Sequence, residues 1–298
     1  MIVSHASRSA QLPRLDAPRA VDVIVAFIRA QLEQTGFRRL VVGLSGGIDS
    51  ATVAYLCARA VDQDDLLAIR MPYRTSSPDS EADAVAVVEA LGCRTERVDI
   101  TPMVEPMLAV MDAPDDAVGS DLLNVRRGNV MARQRMIVLY DRSAAFDALV
   151  AGTSNKTEAL LGYGTLHGDM AAALHPIGDL YKTQLRELAA ELGVPQAILD
   201  KPPSADLWPG QTDEAELGAS YEQLDAILYQ LVDRRWTPDR LVAAGFDARL
   251  VESVAARVAR YEFKRQQPPV AKLSLRTPGI DHLYPRRRPG SRRSAPPA

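Results

Sequence analysis

The chain has 298 residues, 47% hydrophobic and 24% charged, a balance that supports a substantial core in one large or two modest domains. Its formal net charge of −3 argues against broad electrostatic binding to nucleic acid, and no apolar run is long enough to span a membrane. The isolated Cys57 and Cys93 make neither a disulfide framework nor a zinc site, and residues 1–16 hold no apolar signal segment, so a cytoplasmic setting is expected.

Taken in order, residues 1–17 read as a loose arm. Residues 18–34 predict an amphipathic helix with Val21, Ile24, Val25 and Ile28 on one face, ended by Gly36. Residues 40–44 read as a buried parallel strand, followed by the loop Ser45-Gly46-Gly47-Ile48-Asp49-Ser50 and a helix over 51–60. A second strand over 66–71 stops at Pro72, a turn covers 76–80, and a helix over 81–91 closes at Gly92. A third strand is predicted over 95–100. Residues 121–146 read as a long helical stretch, either continuous or broken at Gly128, and 148–153 as a fourth strand. Beyond it the pattern is largely helical, over 182–192, 213–231, 238–244 and 248–265. Residues 271–298 form a basic, Pro-rich tail containing Arg286, Arg287 and Arg288, either a solvated or subunit-docking segment or a phosphate contact. Strand–helix alternation implies a parallel sheet covered by helices on both faces. The architecture expected is a Rossmann-like, doubly wound parallel sheet with a helical C-terminal part. Ligands of such sheets sit at the carboxyl ends of the strands, where the Ser45 loop and Thr153 both fall.

That loop is an anion site in outline. Gly46 and Gly47 let the backbone curl, exposed N–H groups face the anion, and the following helix adds its dipole. It has neither the Walker spacing nor GxGxxG. The alternative is an ordinary Gly-containing turn with Asp49 or Ser50 as a helix cap. Its form, SGGxDS, resembles the pyrophosphate loop of the N-type ATP pyrophosphatases, which have the adenine nucleotide alpha-hydrolase type of fold.

A second constellation follows. It comprises Gly152-Thr153-Ser154-Asn155-Lys156-Thr157-Glu158, then Gly162-Tyr163-Gly164-Thr165, Gly168-Asp169 and Pro176-Ile177-Gly178-Asp179-Leu180-Tyr181-Lys182. Lys201-Pro202-Pro203-Ser204, Gln211-Thr212-Asp213-Glu214 and Glu262-Phe263-Lys264-Arg265-Gln266 come later, and Asn129 to Met136 stands before. In this order, from about residue 20 to about 270, the motifs closely resemble the NAD synthetase family. The resemblance implies a single domain over 18–270 and ATP-dependent amidation of deamido-NAD through an adenylate, with release of AMP and pyrophosphate. Carried over, Gly43, Leu44, Ser45, Gly46, Gly47, Ile48, Asp49, Ser50, Thr153, Lys182 and Ser204 would bind ATP, and Asp49 and Glu158 would hold Mg²⁺. Asp169 would orient or deprotonate the incoming ammonium, while Lys182 would neutralise phosphate charge. Arg133, Arg135, Phe263 and Lys264 would meet deamido-NAD. Arg133 and Arg135 lie two apart on a helix and so face different ways, so one of them at most is expected to reach it directly.

Beside these assignments stand plainer ones: Asp49 and Glu158 as helix N-terminal charges, and Lys182 as a solvated residue paired with Asp179. The acceptor half also departs from the family pattern. Leu166 and Ala173 replace a lysine and an aspartate, and Phe263 replaces a histidine. A different carboxylate acceptor therefore remains an alternative, as does a nucleotide sensor without turnover. No room or placed cysteine exists for a fused glutaminase, so the nitrogen donor expected is ammonia, free or from a separate glutaminase. A homodimer is also expected, through the apolar surface that Val130, Met131, Ile137, Val138 and Leu139 would present.

Overall fold

In the computed structural model, residues 12–111, 120–204 and 211–277 are described. The first helix, α1 (Ala17–Thr35), has its Asp16 cap accepting from the Arg19 N–H and ends at Gly36 in the left-handed region. Its buried residues Val21, Val25, Ile28 and Leu32 recur every three to four positions, a single stripe on the sheet. Then come β1 (Arg39–Gly43), α2 (Ile48–Ala60), β2 (Leu66–Arg70), α3 (Pro78–Leu91), β3 (Arg94–Arg97), α4 (Thr101–Met111), α5 (Ser120–Phe146) and β4 (Ala148–Ala151). All pairings are parallel and the strand order is β3-β2-β1-β4. The chain therefore winds one way from β1 to β3 and returns to the other side for β4. The crevice between β1 and β4 is where the strand order reverses, the place such sheets bind ligands.

Alternation along each strand builds two cores. Leu40, Val42, Leu66, Ala68 and Ala151 face α1, α2 and α7 (Lys182–Leu192). Val41, Leu67, Ile69 and Ala148 face α4 and α5. Both faces of β1, β2 and β4 are covered, which is why these strands read as continuous apolar runs, whereas the edge strand β3 is polar and largely exposed. A third core gathers α6 (Lys156–Leu161), α9 (Asp213–Leu217), α10 (Tyr221–Leu228), α11 (Pro238–Ala243) and α12 (Ala248–Arg260), with Leu161, Tyr221, Leu224, Leu241 and Val254 buried together. Short helix α8 (Gln196–Asp200) follows α7.

Helix α5 runs unbroken through Gly128. Several expectations need correcting. Helix α3 begins at Pro78, inside the expected turn, because Ser77 caps it and proline suits a first helical position where no N–H is needed. Helix α4 went unread, since Pro102 and Pro106 mask the pattern; Pro102 again sits in the first turn. The third strand is regular only over β3, after which Val98 and Ile100 donate to the carbonyls of Arg70 and Pro72. Residues 213–231 are split by left-handed Gly218 and the Ser220 capping box, and 248–265 by a 3₁₀ turn over Glu262–Arg265. The described end of the arm is tied down: Gln184 donates to the Pro13 carbonyl, and Leu12 and Leu15 pack on the cores. Arg286, Arg287 and Arg288 lie outside the described residues. Among the described residues, no helix is long and apolar enough to cross a membrane.

Candidate active site

A cavity of about 910 Å³ opens at the carboxyl ends of the strands. Gly43, Leu44, Ser45, Gly47, Ile48, Asp49 and Ser50 form part of its wall, with Thr153, Glu158, Lys182 and Ser204. The loop after β1 is held by its own serines. The Ser45 N–H donates to Ser50 Oγ (3.1 Å), which in turn donates to the Gly47 carbonyl (3.0 Å), so Ser50 shapes the loop rather than facing outward. Gly46 has φ +79°, and a Cβ there would stand 2.1 Å from the Ser80 carbonyl oxygen; its contribution is close approach to α3, not cavity lining. Gly47 caps α2 with no side-chain bond, which leaves the first-turn N–H groups of Ile48, Asp49 and Ser50 for an anion.

Across the β1–β4 crevice, Asp49 meets Glu158 and Lys182. The Lys182 ammonium donates to Asp49 and, at 3.1 Å, to Glu158 Oε1. Asp179 instead pairs with Lys156, so the surface pairing considered for Lys182 does not form. Asn155 stitches the crevice: its amide donates to Asp49 Oδ1 (2.8 Å) while its Oδ1 accepts from the Glu158 N–H (3.0 Å), capping α6. Lys182 is held from behind. Its N–H donates to Thr157 Oγ1 (3.0 Å), and Thr157 in turn donates to Asp225. Asp225, 1% exposed, also accepts from the N–H and hydroxyl of Thr183 (2.9 and 2.8 Å), tying together the helix starts that carry Glu158 and Lys182. The Tyr221 ring lies 5.3 Å from the Lys182 ammonium, and the Tyr221 and Tyr163 hydroxyls both donate to Asp213 at 3.0 Å.

One ammonium faces too many carboxylates here. Burial pushes the Glu158 carboxyl up to about 8; Lys182 opposes this, and Asp49 and Asp213 reinforce it. Burial alone would lower the Lys182 ammonium, but Asp49 and Glu158 outweigh it and hold it raised and charged. Burial also raises Asp213. The site therefore has an excess of carboxylate oxygen that a hard divalent cation fits. Among the described residues, no three His, Cys, Asp or Glu side chains form a metal cage. A Mg²⁺ ion at Asp49 and Glu158 would complete its shell with phosphate oxygens and water, as this cation commonly does.

At the other end of the cavity, Asp169 accepts from the Thr165 N–H (2.8 Å). The protein packed around it raises its carboxyl, against the pull of that hydrogen bond. Lys264 donates to the carbonyls of Gly162 (2.8 Å) and Gly164 (2.7 Å), and Arg135 to that of Met71 (3.1 Å); both line the cavity. Arg133 and Phe263 do not. Arg133, turned about 200° from Arg135 at 3.6 residues per turn, donates to the Leu166 carbonyl (3.4 Å). Phe263, on the 3₁₀ turn, is 58% exposed. The sequence reading missed Asn155, Asp213, Tyr221 and Asp225 as site-building residues. The cap position of Asn155 before Glu158 and the place of Asp213 in the Gln211–Glu214 motif were readable signals; Tyr221 and Asp225 act across 8 and 68 positions and left none.

A parallel α/β sheet with this Ser/Gly loop and a lysine–carboxylate triangle at its switch point defines the adenine nucleotide alpha-hydrolase class, which works at the α-phosphate of ATP. The family model described as NAD synthase matches residues 20–268, and the chain belongs to that family. It is 50% identical over 264 residues to an NH3-dependent NAD+ synthetase of Chlorobaculum tepidum, covering 89% of this chain and 92% of the relative. Over 264 residues it is 52% identical to the protein of the same name from Trichlorobacter lovleyi, covering 89% and 94%. Among solved structures, an NH3-dependent NAD synthetase of Campylobacter jejuni in complex with nitrate superposes with TM-score 0.71 at 30% identity, covering 87% of this chain and all of that one. An NMN synthetase of Francisella tularensis superposes with TM-score 0.75, also at 30% identity and with the same coverage.

Proposed function

We propose that this chain, acting as a single unit over 18–270, amidates deamido-NAD with ammonia and ATP, giving NAD, AMP and pyrophosphate. The observation that carries this reading is one continuous cavity running from the anion loop, past the Asp49–Lys182–Glu158 triangle, to Asp169 and Lys264. Space for two nucleotides thus meets at the residues able to stabilise phosphoryl charge. The nicotinate carboxylate attacks the ATP α-phosphorus, the bond to the β-phosphate oxygen breaks, and pyrophosphate leaves. The α2 N–H groups hold that pyrophosphate, and Lys182 neutralises charge as it develops on the phosphate oxygens. Asp49 and Glu158 would hold Mg²⁺, which when bound supplies further charge neutralisation on the phosphates. Asp169 takes a proton from ammonium, the nitrogen lone pair attacks the acyl carbon, the bond from that carbon to the AMP oxygen breaks, and the nitrogen gives up its second proton to solvent as AMP leaves. Raising the Asp169 carboxyl makes it the stronger base for that transfer.

The test is coupled product analysis: purified protein with ATP, Mg²⁺, ammonium and deamido-NAD should yield NAD and pyrophosphate in equal amounts. Amidation of nicotinate mononucleotide in preference, or pyrophosphate release without NAD, would reassign the acceptor and leave only the ATP half.

The same reading makes the protein a homodimer, with a changed interface. Of the five α5 residues named from sequence, Met131 and Val138 are buried in the core and Val130 and Leu139 are partly buried, which leaves Ile137. The exposed apolar surface is instead shared by α4 and α5: Met103, Met107, Val110, Leu122, Val125, Ile137 and Tyr140. A patch on two packed helices suits a self-complementary contact. Light scattering at micromolar concentration should give twice the chain mass, and Ile137→Glu should shift it to the monomer. A monomeric, fully active wild type would refute the dimer.

A further inference from the structure

Helix α12 turns Val251 and Val254 into the third core, and Arg257, three positions further on, stands at the cavity wall beside Tyr261 and Lys264. The turn that follows is closely fitted: Gly162 has φ +64°, and a Cβ there would lie 2.3 Å from the Tyr261 ring. The Arg257 guanidinium lies 6.0 Å from the centre of that ring. Its Nε is buried and has no hydrogen-bond partner among the described residues. A buried donor without an acceptor is destabilising, so its persistence needs a reason.

Neighbouring groups are already engaged. Lys264 is spent on the Gly162 and Gly164 carbonyls, Arg133 on the Leu166 carbonyl, and Asp169 on the Thr165 N–H. Lys264 thus has the Asp169 carboxylate on one side and the Arg257 and Arg133 guanidinium groups on the other. Burial lowers the Lys264 ammonium, and Arg257 and Arg133 add to the effect while Asp169 opposes it. The Arg257 donor, without a partner among the described residues, suits an anion entering this end of the cavity.

We infer that Arg257 binds a phosphate of the nucleotide acceptor, its planar fork supplying the two parallel N–H donors that phosphate accepts. The inference rests on the proposed function, because it takes the acceptor to be a nicotinate nucleotide. The acceptor's carboxylate has to stand beside Lys182 to be adenylated, so the anion left for Arg257 is a phosphate.

The test measures equilibrium binding of deamido-NAD and of nicotinate mononucleotide to wild type and Arg257→Gln, in the presence of an ATP analogue with an uncleavable α–β bridge. Arg257→Gln is expected to weaken deamido-NAD by about ten- to a hundredfold, the weight of a hydrogen bond to a charged group, and to leave the ATP analogue within about twofold. Arg257→Lys, which keeps the charge but loses the fork, should weaken it by about threefold to tenfold and serves if the glutamine variant fails to fold. Equal loss for both acceptors places Arg257 on the phosphate they share. Loss confined to the dinucleotide places it on the second phosphate. Unchanged deamido-NAD binding in both variants, or an equal loss for the ATP analogue, overturns the inference. If wild type binds deamido-NAD through Arg257 yet forms no NAD, the phosphate subsite stands and the proposed function fails.

Discussion

Glu158→Gln is expected to cut pyrophosphate release at saturating ATP by about a thousandfold while leaving the fold intact. The amide keeps the shape of the side chain and can still accept from Lys182. The α6 cap is untouched, because Asn155 reaches the Glu158 backbone N–H and not its side chain. What disappears is one of the two carboxylates proposed for Mg²⁺, and with it half the oxygen charge that this chain offers the metal. Thermal stability gives a second, independent readout. A carboxyl raised from 4.5 to about 8 binds its proton more tightly in the folded chain than in the unfolded one. Its favourable contribution is complete below the unfolded value and is lost as pH rises through that window. Without nucleotide and metal, wild type should therefore lose melting temperature from pH 4.5 toward 8, and the glutamine variant should lose less. Near wild-type pyrophosphate release would remove Glu158 from the assigned role, and parallel melting curves at every pH would show that its carboxyl is not raised by burial.

Gly46→Ala should be almost as damaging for a purely geometric reason. At φ +79° an alanine is strained, and its Cβ would overlap the Ser80 carbonyl oxygen at 2.1 Å. That oxygen belongs to the backbone of α3, whose Ser80 hydroxyl is further fixed by Lys201 at 3.1 Å, so it cannot swing aside. The expected cost is about 3 kcal/mol or more of stability, and a displaced loop should weaken ATP about a hundredfold. Gly47→Ala is the control. Its φ is −89° and its Cβ would meet only Ser45 Oγ at 3.4 Å, an ordinary contact, so its melting temperature should stay close to wild type. Denaturant titration and calorimetric ATP binding of the two variants decide the matter. Equal behaviour of the pair would show that the α3 contact does not constrain the loop.

Much of this site was legible because its signals are local. Ser45 to Ser50 is a short stretch that leaves a buried strand and enters the first turn of α2, and its hydrogen bonds close within five positions. Strands β1, β2 and β4 were legible because burial on both faces leaves them apolar, and the ends of α1 and α3 because Gly36 and Gly92 stop these helices in the left-handed region; β3, at the sheet edge, is polar and largely exposed. Legibility failed where two local rules competed. Prolines in α4 read as breakers although Pro102 occupies a first turn, and the apolar rhythm over 213–231 hid the stop at Gly218. It failed again where a side chain's direction depends on packing. Arg133 and Arg135 look alike in sequence, yet only Arg135 reaches the cavity wall.

The sequence by itself determined the α/β winding, the anion loop and, through its ordered motifs, the family. Those features are written in alternation, capping residues and turn chemistry, all of which act over a few neighbours. Tertiary structure alone decided that Lys182 meets Asp49 from 133 positions away, that Asp225 holds the helices bearing Glu158 and Lys182, and that Arg257 comes to the cavity with a donor unspent. Such meetings depend on how three cores pack around one sheet, and burial then sets the charge state of each group. No stretch of neighbouring residues encodes either result.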